Sequence, residues 1–248
     1  MDQSINWNLK GMGLALLFVA LLLSSMLFPP TRFLWDIIDQ KLFLFLNSWI
    51  ATNPISQKFW AIVNYKKFDW IHDLVFLCFF ITYVKRAPKG EKTYRIAQIL
   101  FAVLLAALVI TYINKTLLAN RWHIPRNSPT LYFPESTRLS EKITWFFVKD
   151  YSRCSFPADH GTTACLFVGV IHTLMGARAG LFATLYSLFF IAPRLIVGAH
   201  WLSDILVGSA SIAILTLALG YCTPLSHTFA KHFSKIIRKD FLKLYRAG

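Results

Sequence analysis

The chain is short of charge, above all of negative charge. Only 15% of its 248 residues are charged, and 12 acidic residues face 26 basic ones. A soluble domain of this length carries more charge, which excludes an ordinary water-exposed enzyme. Cysteine is scarce too: three of Cys78, Cys154, Cys165 and Cys222 lie in or beside apolar runs, so no disulfide framework follows. Internal repeats and low-complexity tracts are absent. The first apolar run, GMGLALLFVALLLSSMLF (11–28), has no small-x-small cleavage site after it, so it reads as a retained span. Acidic residues nowhere gather to hold Mg²⁺, and His123, His160 and His200 lack zinc-ligand spacing. No metal and no cofactor is expected.

What is abundant is apolar surface. Hydrophobic residues make up 56% of the chain and aromatics 16%, with 22 Phe. This predicts an all-α polytopic membrane helical bundle, a single integral-membrane domain over 1–248. Six runs are long enough to span: about 10–28, 69–85, 95–118, 160–176, 179–197 and 201–221. Segment 33–50 carries Asp36, Asp39 and Lys41 among apolar residues and reads as an interfacial amphipathic helix, with Trp35 and Trp49 at headgroup depth, or else as a buried half-helix. The stretch 54–68 is too short and too charged to span.

The net charge of +14 is not concentrated in a separable basic domain. Nucleic acid is therefore not expected as a partner; anionic headgroups and phosphorylated lipids are. KRAPKGEKTYR (85–95) holds five Lys or Arg, and the tail 223–248 holds Lys231, Lys235, Arg238, Lys239, Lys243 and Arg246. The positive-inside bias puts both on the cytoplasmic side, with both termini. The loop 119–159 and residues 194–204 then face the non-cytoplasmic side. Arg121, Arg126, Arg138, Lys142, Lys149, Arg153, Arg194, Asp150, Asp159, His123, His160 and His200 gather there.

Three segments carry the chemistry. In RLIVGAHWLSD (194–204), His200 and Asp204 are spaced i, i+4 and share one face of a helix. A carboxylate there fixes the imidazole tautomer and leaves one nitrogen free to attack. Arg194 precedes them, with Pro193 and Gly198 allowing a bend, and a guanidinium grips phosphate oxygens well. In SFPADHGTTACLF (155–167), Asp159, His160 and Gly161 open an apolar helix whose first N–H groups favour an anion. His160 is placed to protonate a leaving oxygen. In KTLLANRWHIPRNSPTL (115–131), Lys115, Arg121 and Arg126 add positive charge at the same face. Plainer readings exist for each: snorkelling arginines, Asp159 as a helix cap, and surface electrostatics for Lys115 and Arg121.

Taken in order, these segments resemble the type-two phosphatidic acid phosphatase superfamily, whose motifs run K-x6-R-P, P-S-G-H and S-R-x5-H-x3-D. The resemblance covers Lys115 to Asp204. It implies a phosphohistidine on His200, Asp204 as its orienting carboxylate, Arg194 on the phosphate and His160 as the acid. Pro193 replaces the serine of the third motif, and Ala158 and Asp159 replace Ser and Gly of the second. No arginine stands at the expected distance from Lys115, so the first motif falls to Arg121 or Arg126. Asp159-His160-Gly161, with KKFD (66–69), RNSPTL (126–131) and CTPLS (222–226), looks like the branch that uses undecaprenyl diphosphate. That branch implies a donor of that kind and the 1-phosphate of lipid A as acceptor. A phosphatase with water as acceptor is the alternative. A non-enzymatic transporter is a further one, although its ionisable groups would run through the membrane midplane.

Overall fold

The computed structural model describes residues 7–122 and 124–247, with side chains described for all of these except 122 and 239–247. The fold is all-α. Asn8 caps α1 (Leu9–Leu27), its side chain accepting from the Gly11 amide at 2.9 Å. Two prolines open α2 (Pro29–Ser48), where a missing N–H costs nothing. Asn53 caps α3 (Pro54–Val63) through the amides of Ile55 and Ser56, and a 3₁₀ turn, Lys66–Phe68, leads into α4 (Asp69–Lys85). Next comes α5 (Lys92–Leu108), which continues without a break into a π-helical segment, Val109–Trp122. Two single turns follow, α6 (Pro129–Tyr132) and α7 (Leu139–Lys142), then α8 (Asp159–Met175) and α9 (Ala177–Ile196). A π-helical turn, Asp204–Ser209, opens α10 (Ala210–Tyr221), and α11 (Leu225–Ala247) closes the chain.

Among the described residues, four helices are long and apolar enough to cross a membrane: Leu9–Leu27, Lys92–Arg121, Ala177–Ile196 and Asp204–Tyr221. α4 and α8 have 17 residues each, about 25 Å at the usual rise. The bundle has two ends. At one, the Asn8 amide donates to the Cys222 carbonyl at 2.8 Å, and Arg95 donates to the Tyr83 carbonyl at 2.7 Å. At the other, Asn114 of the α5 continuation donates to Thr162 of α8 at 2.8 Å.

Two sequence expectations change. The loop expected from 119 begins later, because residues 119–122 stay helical; the Thr116 hydroxyl donates five residues back to Thr111, in keeping with π geometry. The helix expected at 33–50 forms, but its buried stripe is Asp39, Phe43 and Asn47, at i, i+4 and i+8. Two polar groups on that stripe face the bundle, not water, and each is satisfied there. Asn47 donates to the Thr137 and Ile196 carbonyls and accepts from the Thr137 amide. The basic tail is helical, and its first half packs along α5. Phe229 lies 5.5 Å from Phe101, Tyr94 meets His227 at 2.7 Å, and Arg238 bonds Thr93 and Gly90.

The segments between α5 and α8 are held over the end of α9 by a core of Ile50, Leu139, Ile143, Val148, Ile196 and Val197. A second core, with Ala158, Ala164, Phe190, Ile191 and Ile205, lies where α8, α9 and α10 meet below the site.

Candidate active site

The end of α9 brings Arg194 and His200 together through the backbone. Gly198 has φ +78°, which favours glycine. Its amide donates to the Leu195 carbonyl at 3.2 Å, and the Ala199 amide donates to the Arg194 carbonyl at 3.0 Å. This pair of bonds is a Schellman cap, with Arg194 at its start. The His200 amide also donates to the Arg194 carbonyl, at 3.3 Å. A side chain at 198 would meet Thr130 at 2.6 Å and Phe43 at 2.7 Å, so glycine also fills a tight place.

His200 is 8% exposed. Its Nδ1 lies 2.8 Å from the Ser155 carbonyl, which can only accept. Nδ1 therefore carries the proton, and Nε2 keeps its lone pair. Ser155 is positioned by extended pairing of two segments: its amide donates to the Arg126 carbonyl at 2.9 Å, and the Arg126 amide donates to the Arg153 carbonyl at 3.1 Å.

Asp204 lies 3.7 Å from His200 Nδ1, beyond hydrogen-bond distance. Its oxygens are taken elsewhere. Oδ2 accepts from the Trp201 amide at 2.8 Å, as in a helix capping box, and Oδ1 accepts from Arg126 at 2.5 Å. Arg126 also donates to Asp39 and Ser203, both at 2.9 Å. Ser203 in turn donates to Asp39 through its amide and its hydroxyl. The guanidinium thus bridges two buried carboxylates.

Arg194 is buried on the other side of His200. It donates to the backbone and side-chain oxygens of Asn64, and to Asp69 at 3.3 Å. Its Nη2 also lies 2.6 Å from His160 Nε2. A guanidinium can only donate, so Nε2 accepts in this arrangement. Asp69 Oδ2 stands 3.4 Å from the same nitrogen. Arg194, His160 and His200 line one cavity of about 690 Å³, with Asn64, Lys66, Lys67, Asp69, Lys115, Lys149 and Asp159. Thr163 lines it as well, and also lines an apolar groove of about 420 Å³ between α4, α5 and α8.

The residues singled out in the sequence therefore separate. His200, His160, Arg194, Lys115 and Asp159 reach one cavity. Arg126 does not line it; it lines a second cavity of about 310 Å³ with Asp39, Tyr132 and Trp201. Arg121 is exposed and lines neither. Gly161 is buried against α10, where a side chain would sit 2.7 Å from the Ser209 hydroxyl, so it serves close helix packing. Asp150 is fully buried, accepts from the Ser140 amide at 2.8 Å and holds the loop together. His123 lies outside the described residues. Sequence reasoning did not pick out Asp39, Asn64, Lys66, Lys67 or Asp69 for the site. KKFD (66–69) was a visible signal; nothing marked Asp39.

A cavity with a nucleophile-ready imidazole, a second histidine and an arginine fits phosphoryl transfer, and the comparisons agree. The chain belongs to the PAP2 superfamily, which it matches over residues 95–228, and it is an enzyme of the lipid phosphatase and phosphotransferase class. It is similar to the lipid A 1-diphosphate synthase of Escherichia coli strain K12, with 32% identity over 236 residues, covering 95% of this chain and 93% of the relative. With that relative and its apolar helices, the chain is a multi-pass membrane protein. The family match leaves no place for the transporter alternative. No solved structure matches it.

Proposed function

We propose that this protein moves the terminal phosphate of undecaprenyl diphosphate to the 1-phosphate of lipid A through a phosphohistidine on His200. The observation that carries the reading is His200, with Nε2 free, sharing one cavity with Arg194 and His160. Identity to a lipid A 1-diphosphate synthase along nearly the whole chain supports the substrate pair.

The chemistry follows from the groups at hand. A donor lipid keeps its tail in the apolar groove and its diphosphate in the cavity, two spaces that share Thr163 as a lining residue. Its terminal phosphate takes the place of His160 as partner for Arg194, and Lys115 meets further oxygens. His200 Nε2 attacks in line while the Ser155 carbonyl stabilises the charge that develops at Nδ1. Freed from Arg194 and facing Asp69, His160 takes up a proton and delivers it to the departing lipid monophosphate. Arg126 and Asp204 act behind the ring as a brace. In this reading α4 and α8 complete a six-span bundle of one domain, with both termini cytoplasmic and the cavity facing the periplasm of the inner membrane.

The test is to supply undecaprenyl diphosphate labelled at its terminal phosphate, with and without lipid A. The reading expects acid-labile label on the wild-type protein, none on His200→Ala, and label appearing in lipid A. Label that appears only as inorganic phosphate in the presence of lipid A establishes the phosphatase reading instead.

A further inference from the structure

The donor diphosphate is assigned Arg194 and Lys115, and the cavity holds three lysines beyond them. Lys66, Lys67, Lys115, Lys149 and Arg194 line it against Asp69 and Asp159, five cations less two anions, an excess of three. Arg194 pairs with Asp69, whereas among the described residues no carboxylate lies within ion-pair distance of the four lysines. Ammonium groups crowded into one concavity repel each other, and an anion relieves that repulsion.

Three of these lysines arrive on one local frame. Asn64 ends α3, and its side-chain amide donates to the Lys149 carbonyl at 3.1 Å. One residue on, the Tyr65 ring packs 4.8 Å from Phe146, and the Tyr65 carbonyl closes the turn that carries Lys66 and Lys67. The frame thus links the α3–α4 turn to the segment before α8 and sets both beside Arg194. Lys115 comes from a different element, the α5 continuation.

We propose that Lys66, Lys67 and Lys149 form a second anion subsite that seats a phosphate monoester on the accepting lipid. The proposal rests on the phosphohistidine reading above. An oxygen of the acceptor phosphate supplies the electron pair for a new P–O bond. The P–N bond to His200 breaks, and its electron pair returns to Nε2. The acceptor reacts as its dianion, so no proton is released, and the product is a lipid diphosphate. Two phosphates must approach within bond-forming distance, and three lysines offset that repulsion. Water brings no second phosphate, so a hydrolase could use these lysines only on the donor, and the acceptor KM is where the two readings part.

The experiment uses the full chain, polyprenyl diphosphate labelled at its terminal phosphate, and lipid A 1-phosphate as acceptor probe. Two readouts are followed: label on the protein, which reports the donor half, and label in the acceptor. In K66Q/K67Q and in Lys149→Gln the acceptor KM should rise about tenfold or more, at least about fivefold beyond any rise in donor KM. K66R/K67R, which keeps the charge, should recover most of the loss. Equal rises in both KM values, or an acceptor KM that stays put while the protein is still labelled, overturn the subsite. Absence of label on the wild-type protein overturns the phosphohistidine reading itself.

Discussion

Arg126 and Asp204 form an ion pair of 2.5 Å in which the carboxylate is closed to water. With Asp39 on the same guanidinium, Arg126 is the shared countercharge of two carboxylates that are 0% and 2% exposed. Arg126→Ala would leave both buried without a countercharge, at a cost of about 3–5 kcal/mol. A fall in the thermal unfolding midpoint of the detergent-solubilised protein checks this. Arg126→Lys should fall between, because one ammonium cannot fork to two acids. An alanine variant as stable as wild type would show that the bridge carries no weight.

Asp69 opens α4 and touches both His160 and Arg194, at 3.4 and 3.3 Å. Asp69→Asn keeps the shape and removes the charge. On the proposed mechanism kcat should drop on the order of tenfold to a hundredfold, with a smaller change in donor KM, since a proton-delivering histidine loses its partner. Steady-state rates with the labelled donor decide it; a donor KM that rises alone would make Asp69 a binding group.

Gly198 is both left-handed and crowded. Gly198→Ala is expected to cost about 1–3 kcal/mol in backbone strain and to shift His200 against Ser155. Turnover should therefore suffer more than the unfolding midpoint, which measuring both on one preparation reveals.

Burial pushes the Asp39 carboxyl above its ordinary value of 3.8, although its hydrogen bonds to Ser203 and the charge of Arg126 pull the other way. The folded chain then holds that proton more tightly than the unfolded chain, so ionising Asp39 subtracts stability as the pH climbs from 3.8 through the raised value. Asp39→Asn cannot ionise. The midpoint of the variant relative to wild type should accordingly rise with pH over that interval. A difference that stays flat in a pH series of melts rejects the shift.

Much of the bundle was legible because apolar run length is a direct signal. α1 and α9, and α5 and α10 taken with their π-helical segments, fall within a few residues of the expected spans. α3 was not, since ten residues with a lysine offer too little periodicity to name a helix. His160, Arg194 and His200 could be named because their chemistry sits in short motifs. Asn64 could not, and KKFD marked Asp69 without its partner, for both reach Arg194 across 130 and 125 residues, and local pattern carries no such pairing. Arg126 shows the same limit: the sequence offered it as a phosphate ligand, but Asp39, 87 residues away, claims it.

The Schellman cap at the end of α9 explains a spacing. The guanidinium arm of residue 194 and the imidazole of residue 200 are measured off from one peptide oxygen, that of Arg194. Adding or deleting one residue between them would swing the ring to another side of the chain, whatever the side chains nearby could accommodate. The count from arginine to histidine is thus a ruler written in peptide geometry, and drift around it is free to alter letters but not length.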